Sequence, residues 1–337
     1  EDGTICIVGN GEIYNFKELR EQLLASGHHF RTNGDIEVIL HLYEQYGSDC
    51  VHYLRGMFAF AIWDGRTECL FAARDRFGIK PLYYMEEQGR FICSSEMKSL
   101  LAVCRQKPRI DLQSMVYYLT LQYVPESQMM FHGMHKLPPA HYLWVKDKSI
   151  QVSKYWQPEF TAADDHTSIT KEQMKQQIVA ALRDSVRCHM TSDVPVGCFL
   201  SSGIDSTAIA SLMQQSLQRS TSRRKSASHG SDPSINGAFS MSNDWRSDAK
   251  LHTFSVGFAE DRNECLFSRQ TAALLNSTHH EWIISEQEYF DMVQSSVFFQ
   301  EDPVADPSAV ALYGVSRMAS EHVKVVLSGE GADELFG

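Results

Sequence analysis

Several absences narrow this sequence before any motif is read. No apolar run approaches membrane-spanning length, and no basic-then-apolar leader opens the chain. That argues against a membrane-spanning helix and a cleaved signal peptide. Positive charge is scarce: 31 Lys and Arg face 42 Asp and Glu, a formal net charge of −11. A nucleic-acid partner, which needs a basic surface, is therefore not expected, whereas acidic small substrates stay allowed because a local cluster can reverse the global field. Eight cysteines are present, but with no C-x-x-C pair and no Cys/His ligand spacing. They read as reduced, buried thiols of a cytoplasmic protein. The phosphate-binding signature Gly-Lys-Ser/Thr is missing as well.

What is present fills two domains. The 337 residues, 43% hydrophobic and 22% charged, suffice for two full cores. Residues 1–157 carry short alternating apolar runs (5–8, 57–63, 69–73, 82–85, 90–94, 141–145), several parted by turns such as Asp64-Gly65. Two helices are expected there, at 15–26 and 35–46, capped by Asn15 and Asp35. Residues 165–337 switch to strand–helix alternation, the pattern of a parallel sheet covered on both faces. Residues 214–250, rich in Ser, Arg, Asn and Gly, read as a disordered insertion. The chain starts at Glu1 without methionine and stops at Gly337 in a loop about to open a helix, so it reads as an internal fragment.

The stretch VPVGCFLSSGIDS, Val194 to Ser206, organises the second half. A buried strand breaks into Ser201, Ser202 and Gly203, and a helix with Ile209, Leu212 and Met213 on one face follows. Unpaired N–H groups and the helix dipole make such a turn an anion site, and small side chains let phosphate reach the backbone. Without a P-loop lysine, the site suits a pyrophosphate held by N–H groups, hydroxyls and a metal on Asp205. LSGEGADELFG, Leu327 to Gly337, repeats this design with Glu330, Asp333 and Glu334. In a doubly wound sheet ligands sit beyond the carboxyl ends of the strands, so the two loops should meet at one crevice. Asp205 and Asp333 then share magnesium on phosphate oxygens, with Glu330 as general base; the competing reading is a helix start with dipole-complementing acids. TFSVGF (253–258) is either a plain core strand or one offering backbone groups to a purine, and EDPVADPSA (301–309) either an acidic loop on the same side or an ordinary turn.

In the first half GNGEIYN, Gly9 to Asn15, follows a strand. Asn10 and Gly11 offer an amide and an N–H to an oxyanion, while Glu12 and Asp35 suit an α-amino group; turn chemistry and capping explain the same residues. Cys6, inside an apolar strand, reads as inert, and RDRFGIKPLYY, Arg74 to Tyr84, reads as structural.

Together NGEIYN, RDRFGIKPLYY, LPPAHYL at Leu137, LSSGIDS, TFSVGF and LSGEGADELFG resemble, in order, the glutamine-dependent asparagine synthetases. The resemblance implies an α+β N-terminal-nucleophile (αββα) glutaminase domain followed by an α/β doubly wound parallel-sheet domain of the ATP-pyrophosphatase type. It implies hydrolysis of glutamine through a cysteine thioester, passage of ammonia through a tunnel, and formation of asparagine from aspartate and ATP through β-aspartyl-AMP, releasing AMP and pyrophosphate. Carried over by position, Asn10 and Gly11 look like the oxyanion pair and Glu12 and Asp35 like glutamine ligands. Leu200, Val256, Ser328 and Gly329 look like nucleotide contacts, and Ser201, Ser202, Gly203, Asp205 and Ser206 like the pyrophosphate cradle. Asp205 and Asp333 look like Mg2+ ligands and Glu330 like the acid of adenylate formation. The partners implied are glutamine, aspartate and ATP, with a homodimer allowed and nucleic acid and membrane excluded.

Three departures stand out. The family's amino-terminal cysteine is absent, so no glutaminase activity is expected of this chain. Gly9 occupies a position that is usually bulky, and Ser202 replaces a glycine of the commoner SGGxDS loop. Two alternatives remain: an amidotransferase or β-lactam-synthetase relative that adenylates another carboxylate, the latter disfavoured by the intact NGE, and a catalytically dead relative that only binds.

Overall fold

The computed structural model of the chain describes residues 3–126, 128–160, 170–201, 203–227, 250–259 and 262–336. Two compact units emerge, one formed by residues 1–165 together with 300–306, the other by 166–299 and 307–337.

The first unit is built on period-two alternation. Strands β1 (Ile5–Ile13), β2 (Gly56–Asp64), β3 (Cys69–Arg74), β7 (His141–Lys146) and β8 (Ser149–Lys154) pair antiparallel in that order. A smaller sheet has β4 (Tyr83–Glu87) between β5 (Arg90–Ser94) and β6 (Met134–Lys136). Along β2, Phe58, Phe60 and Ile62 face a core shared with α1 (Phe16–Ala25) and α2 (Glu37–Tyr46), which contribute Leu19, Leu23, Val38, Ile39 and Leu42. Ala59 and Ala61 face the other way, into a second core with Leu82, Leu137 and Leu143. Small alanines there let the two sheets close on each other. On the far side of the small sheet, Tyr83 and Met85 pack on Met97 and Leu100 of α4 (Met97–Val103). The layers are thus helix, sheet, sheet, helix. A short α3 (Cys50–Tyr53) and α5 (Leu112–Leu121) complete the unit, α5 capped by Asp111, which accepts from Ser114 N at 2.8 Å.

In the second unit four parallel strands run in the order β11 (Thr278–Ile284), β10 (His252–Phe258), β9 (Val196–Phe199), β12 (Val325–Leu327). Helices α6 (Lys171–His189), α7 (Ile204–Ala227) and α8 (Arg262–Leu274) cover one face; Val186, Met213 and Ala272 pack there on Val196, Cys198 and Leu327. On the other face, α9 (Glu286–Gln300) and α10 (Ser308–Ser320) bring Met292 and Val315 to Ile284 and Phe254. A capping box starts α6: Gln173 N donates to Thr170 Oγ1 at 3.2 Å, and Thr170 N donates to Gln173 Oε1 at 2.9 Å. The final helix, α11 (Ala332–Phe336), follows β12. Among the described residues no helix is long and apolar enough to cross a membrane.

Several sequence expectations need correction. The first strand does not stop at Val8 but continues to Ile13, because 9–13 pair with 56–60 of β2. Neither expected cap forms: the Asn15 side chain bridges Tyr53 O and Arg55 N instead, and α2 begins after Ile36 rather than on Asp35. Residues 214–227 continue α7 rather than opening an insertion, while 228–249 lie outside the described residues. Residues 301–306 of the acidic loop are grouped with the first unit and 307–309 with the second.

Candidate functional site

The chain enters the parallel sheet at β9, proceeds to β10 and β11 on one side, then crosses to β12 on the other. The reversal lies between β9 and β12, the kind of switch point beside which ligands of such sheets bind. Both expected loops spring from this point, since Leu327 is level with Cys198.

The first loop is a self-bonded turn. Leu200 N donates to Phe254 O at 2.8 Å, which ties the end of β9 to β10. The hydroxyls of Ser201 and Ser206 lie 2.9 Å apart, Gly203 N donates to Ser201 Oγ at 3.2 Å, and Ser206 Oγ donates to Ser201 O at 3.1 Å. Thr207, unremarked in the sequence, closes the turn by donating to Gly203 O at 2.8 Å. The buried Ser206 hydroxyl is thereby spent inside the turn, whereas Ser201, Gly203 and Asp205 are exposed. The first backbone N–H groups of α7 point out of this turn with the positive end of the dipole. Ser202 lies outside the described residues.

The second loop presses against the first. A Cβ added at Gly329 would stand 2.6 Å from Ser206 N and 2.8 Å from Asp205 C. No side chain fits, so backbone meets backbone at the mouth of the crevice. Glu330 N lies 3.4 Å from Ser328 Oγ, and Ser328, Glu330 and Asp333 are exposed. Asp205 and Asp333 stand in the first turns of α7 and α11. The structure thus brings Asp205 and Ser206 to Gly329, whose loop also carries Ser328 and Glu330. Leu200 is buried, and Val256 is partly buried against the core on the face of α9 and α10.

The four candidates of the first unit gather at one end of β1. Asn10 and Glu12 are exposed on the strand, opposite Ala59 and Met57. Gly11 is demanded by close approach: a Cβ there would lie 2.2 Å from Met57 O. Asp35 reaches the same place, its Oδ2 accepting from Ile13 N at 2.7 Å. A Cβ on Gly9 would be 3.3 Å from Ile36 Cγ2, so Ile36 occupies the room a bulkier residue would need. Behind this end, buried Asp75 accepts from the N–H groups of Phe58, Phe77, Ile79 and Lys80. Its neighbour Arg74, also buried, donates to the carbonyls of Gly78, Lys80 and Leu137. These interactions explain the charged RDRFGIKP run as scaffold. Contrary to expectation Cys6 is exposed. Burial pushes the thiols of Cys50 and Cys198 up to about 12, which removes both as thiolate nucleophiles.

Residues 1–156 match the glutamine amidotransferase domain family and residues 177–337 the asparagine synthase family. Asparagine synthetase [glutamine-hydrolyzing] 1 of Bacillus subtilis is 38% identical over 339 residues, covering 100% of this chain and 48% of its own length. A putative asparagine synthetase of Mycobacterium tuberculosis is likewise 38% identical, over 98% of this chain and 47% of its own. An amidase, chyE, of Penicillium rubens is 32% identical over 100% and 47%. The chain therefore spans about half the length of the curated relatives it matches. Among solved structures, the B. subtilis glutamine phosphoribosylpyrophosphate amidotransferase with ADP and GMP overlays at 15% identity and a TM-score of 0.36, over 84% of this chain and 62% of its own. With a glutamine amidotransferase domain matched on one unit and an asparagine synthase domain on the other, the chain is similar along its whole length to glutamine-hydrolysing asparagine synthetases.

Proposed function

We propose that the second unit activates a carboxylate with ATP, that the carboxylate is the β-carboxylate of aspartate, and that ammonia derived from glutamine completes asparagine. The observation that carries this reading is the contact of Gly329 with the Asp205–Ser206 backbone at the sheet's switch point. That contact holds the Ser328–Gly329 loop beside the N-terminus of α7, where small residues leave backbone open to phosphate. The N-terminus of α7 holds the pyrophosphate, and it stabilises it most as it leaves with its charge developed. An aspartate carboxylate oxygen attacks the α-phosphorus, the bond to the bridging oxygen breaks, and pyrophosphate departs, leaving β-aspartyl-AMP. Ammonia then attacks the acyl carbon and AMP leaves. Glu330, exposed beside the turn, takes the proton that the attacking ammonia loses. Asp205 and Asp333 supply the hard oxygen donors that suit Mg2+, which when bound neutralises charge on phosphate oxygens. In the first unit Asn10, Gly11, Glu12 and Asp35 form the wall of the glutamine pocket.

The test is product analysis of the protein supplied with ATP, Mg2+, ammonium and a panel of carboxylic acids. AMP, pyrophosphate and asparagine should appear in equal amounts with aspartate, and Glu330→Gln should abolish asparagine and limit pyrophosphate to a single turnover without weakening ATP binding. The amidase among the relatives favours a second reading, in which the same site adenylates a different carboxylate. Turnover with another acid and none with aspartate would establish that reading instead.

A further inference from the structure

Among the described residues, two clusters outside the adenylation site bring three metal-ligating atoms within 4.8 Å of one another. The cluster of His252, His280 and His322 is a stack, with the His280 and His322 rings 3.9 Å apart and 26° from parallel. His280 and His322 turn faces to each other, and His252 Nδ1 is in hydrogen-bond contact with His280 Nε2 at 3.0 Å, so these rings are occupied with one another. The other cluster, in the first unit, is arranged differently.

His41 and Glu44 lie one turn apart on α2, and His28 is brought to them by the turn that ends α1. That turn is fixed by Gly27 at φ +95° and by His28 N donating to Leu23 O at 3.0 Å. His28 Nδ1 and His41 Nδ1 are 3.2 Å apart, His41 Nδ1 and Glu44 Oε2 are 3.2 Å apart, and His28 Nδ1 is 3.7 Å from Glu44 Oε2. Ligands bound at 2.0–2.1 Å to a tetrahedral ion stand about 3.3 Å from one another, so this triangle has the size of one face of such a site.

Protonation gives an independent reason for a cation. Gln45 Nε2 donates to Tyr46 OH, which turns Gln45 Oε1 towards His28 Nε2 at 3.2 Å. His28 therefore carries its proton on Nε2 and presents a lone pair at Nδ1. His41 is 4% exposed, and its buried Nε2 has no hydrogen-bond partner, with Glu37 Oε1 at 3.6 Å. A proton on Nε2 faces that carboxylate favourably and leaves a lone pair on Nδ1. A proton on Nδ1 instead leaves a buried Nε2 lone pair against a carboxylate. Glu37 is held as an anion: burial raises its pKa, but hydrogen bonds from the Thr32 hydroxyl and from Arg31 N and Thr32 N outweigh burial and lower it.

We propose that His28 Nδ1, His41 Nδ1 and Glu44 Oε2 form a binding site for Zn2+ or a similar borderline transition-metal ion, with water completing the coordination. Two imidazoles and one carboxylate select such ions over Mg2+. Gln45 on His28 and Glu37 beside His41 act as the outer partners that orient ligating histidines. The ion clasps the connection 26–36, which ends in the Asp35–Ile36 turn against β1, onto α2.

The experiment is calorimetric titration of the chelator-treated protein with Zn2+ alone and with Mg2+ alone. Zn2+ should bind and raise the melting temperature. His28→Ala and Glu44→Gln, both at the rim, should each weaken that event by at least about tenfold, while His322→Ala in the stacked cluster leaves it unchanged. Mg2+ should give no corresponding event. Because His41 is left intact, failure to fold does not intervene. Zn2+ binding that is absent, or indifferent to both rim variants, overturns the site. So does a His41 ring found by 15N NMR to be doubly protonated near pH 7.5 and unchanged by Zn2+, since a proton then fills the role given to the metal.

Discussion

A single methyl group probes each of the two pockets. At Gly329 an added Cβ meets backbone on both sides, Ser206 N at 2.6 Å and Asp205 C at 2.8 Å. Gly329→Ala must therefore part the two loops, at a cost of about 1–3 kcal/mol for overpacking and with at least tenfold weaker ATP binding. Urea unfolding and nucleotide titration measure the two effects; unchanged values for both would show that the loops do not touch. Gly11→Ala meets Met57 O at 2.2 Å and should cost about 2 kcal/mol or more, read from the urea midpoint. Both glycines were visible in the sequence, but not their reason. Gly11 suggested a turn, whereas it serves a close approach of β1 to β2, and glycine answers either need. Asp35 is a parallel case. Its type fits a cap, yet Ile13 N, 22 residues away in sequence, takes its carboxylate. Local spacing carries no trace of such a partner.

At the scale of elements, alternation located β2, β3, β4 and β7, and the strand–turn–helix grammar located β9 and α7, because burial of one face dictates each pattern. It failed for α5, whose LQSMVYYLTL is apolar nearly all round and buries only Ser114, so no stripe stands out. It also cut α7 short. Leu217 still packs into the core of the second unit, but the Ser- and Arg-rich sequence around it hides that one apolar position, and a helix already nucleated propagates at little cost. The paired strands β10 and β11 make a prediction of their own. Burial first, then His322, His252 and His279 nearby, lower the pKa of His280 to about 4, and burial lowers His252 and His279 as well. Between pH 6.5 and 4 the unfolded chain therefore binds more protons than the folded one, so stability is full above pH 6.5 and falls as pH drops through this window. His280→Phe should flatten the decline between pH 6.5 and 4 in a urea-midpoint series. A slope equal to the parent's would show that His280 does not titrate in the way its surroundings dictate.

At the scale of the whole molecule, the chain revisits its first unit after most of the second has been laid down. Residues 300–306 return to it: Glu301 Oε2 accepts from Met97 N at 2.7 Å, its other oxygen lies 2.9 Å from Lys98 Nζ, and Asp302 takes Lys136 and the hydroxyl of Tyr83. A bridge between Tyr123 and Val304 and a bond from Ala305 N to Gln122 O fasten the segment. Nothing local marks such a return, because the partners of Asp302 lie 166 and 219 residues away. That distance is why two tandem domains could be read from composition and motifs while a discontinuous one could not. Asp302 has a measurable consequence. Burial first, and then the charge of Asp302, raise the Tyr83 hydroxyl above the usual tyrosine range. Asp302→Ala removes the acceptor of that buried hydroxyl and the partner of Lys136, at a cost of about 1–3 kcal/mol. Hydrogen exchange should therefore quicken in β4 and β6, the strands that carry Tyr83 and Lys136, and stay unchanged in β9 to β12. The Tyr83 titration should move down towards 10 as the neighbouring charge is lost. If exchange quickened equally in both sheets, or in neither, the return segment would not be serving the first unit alone.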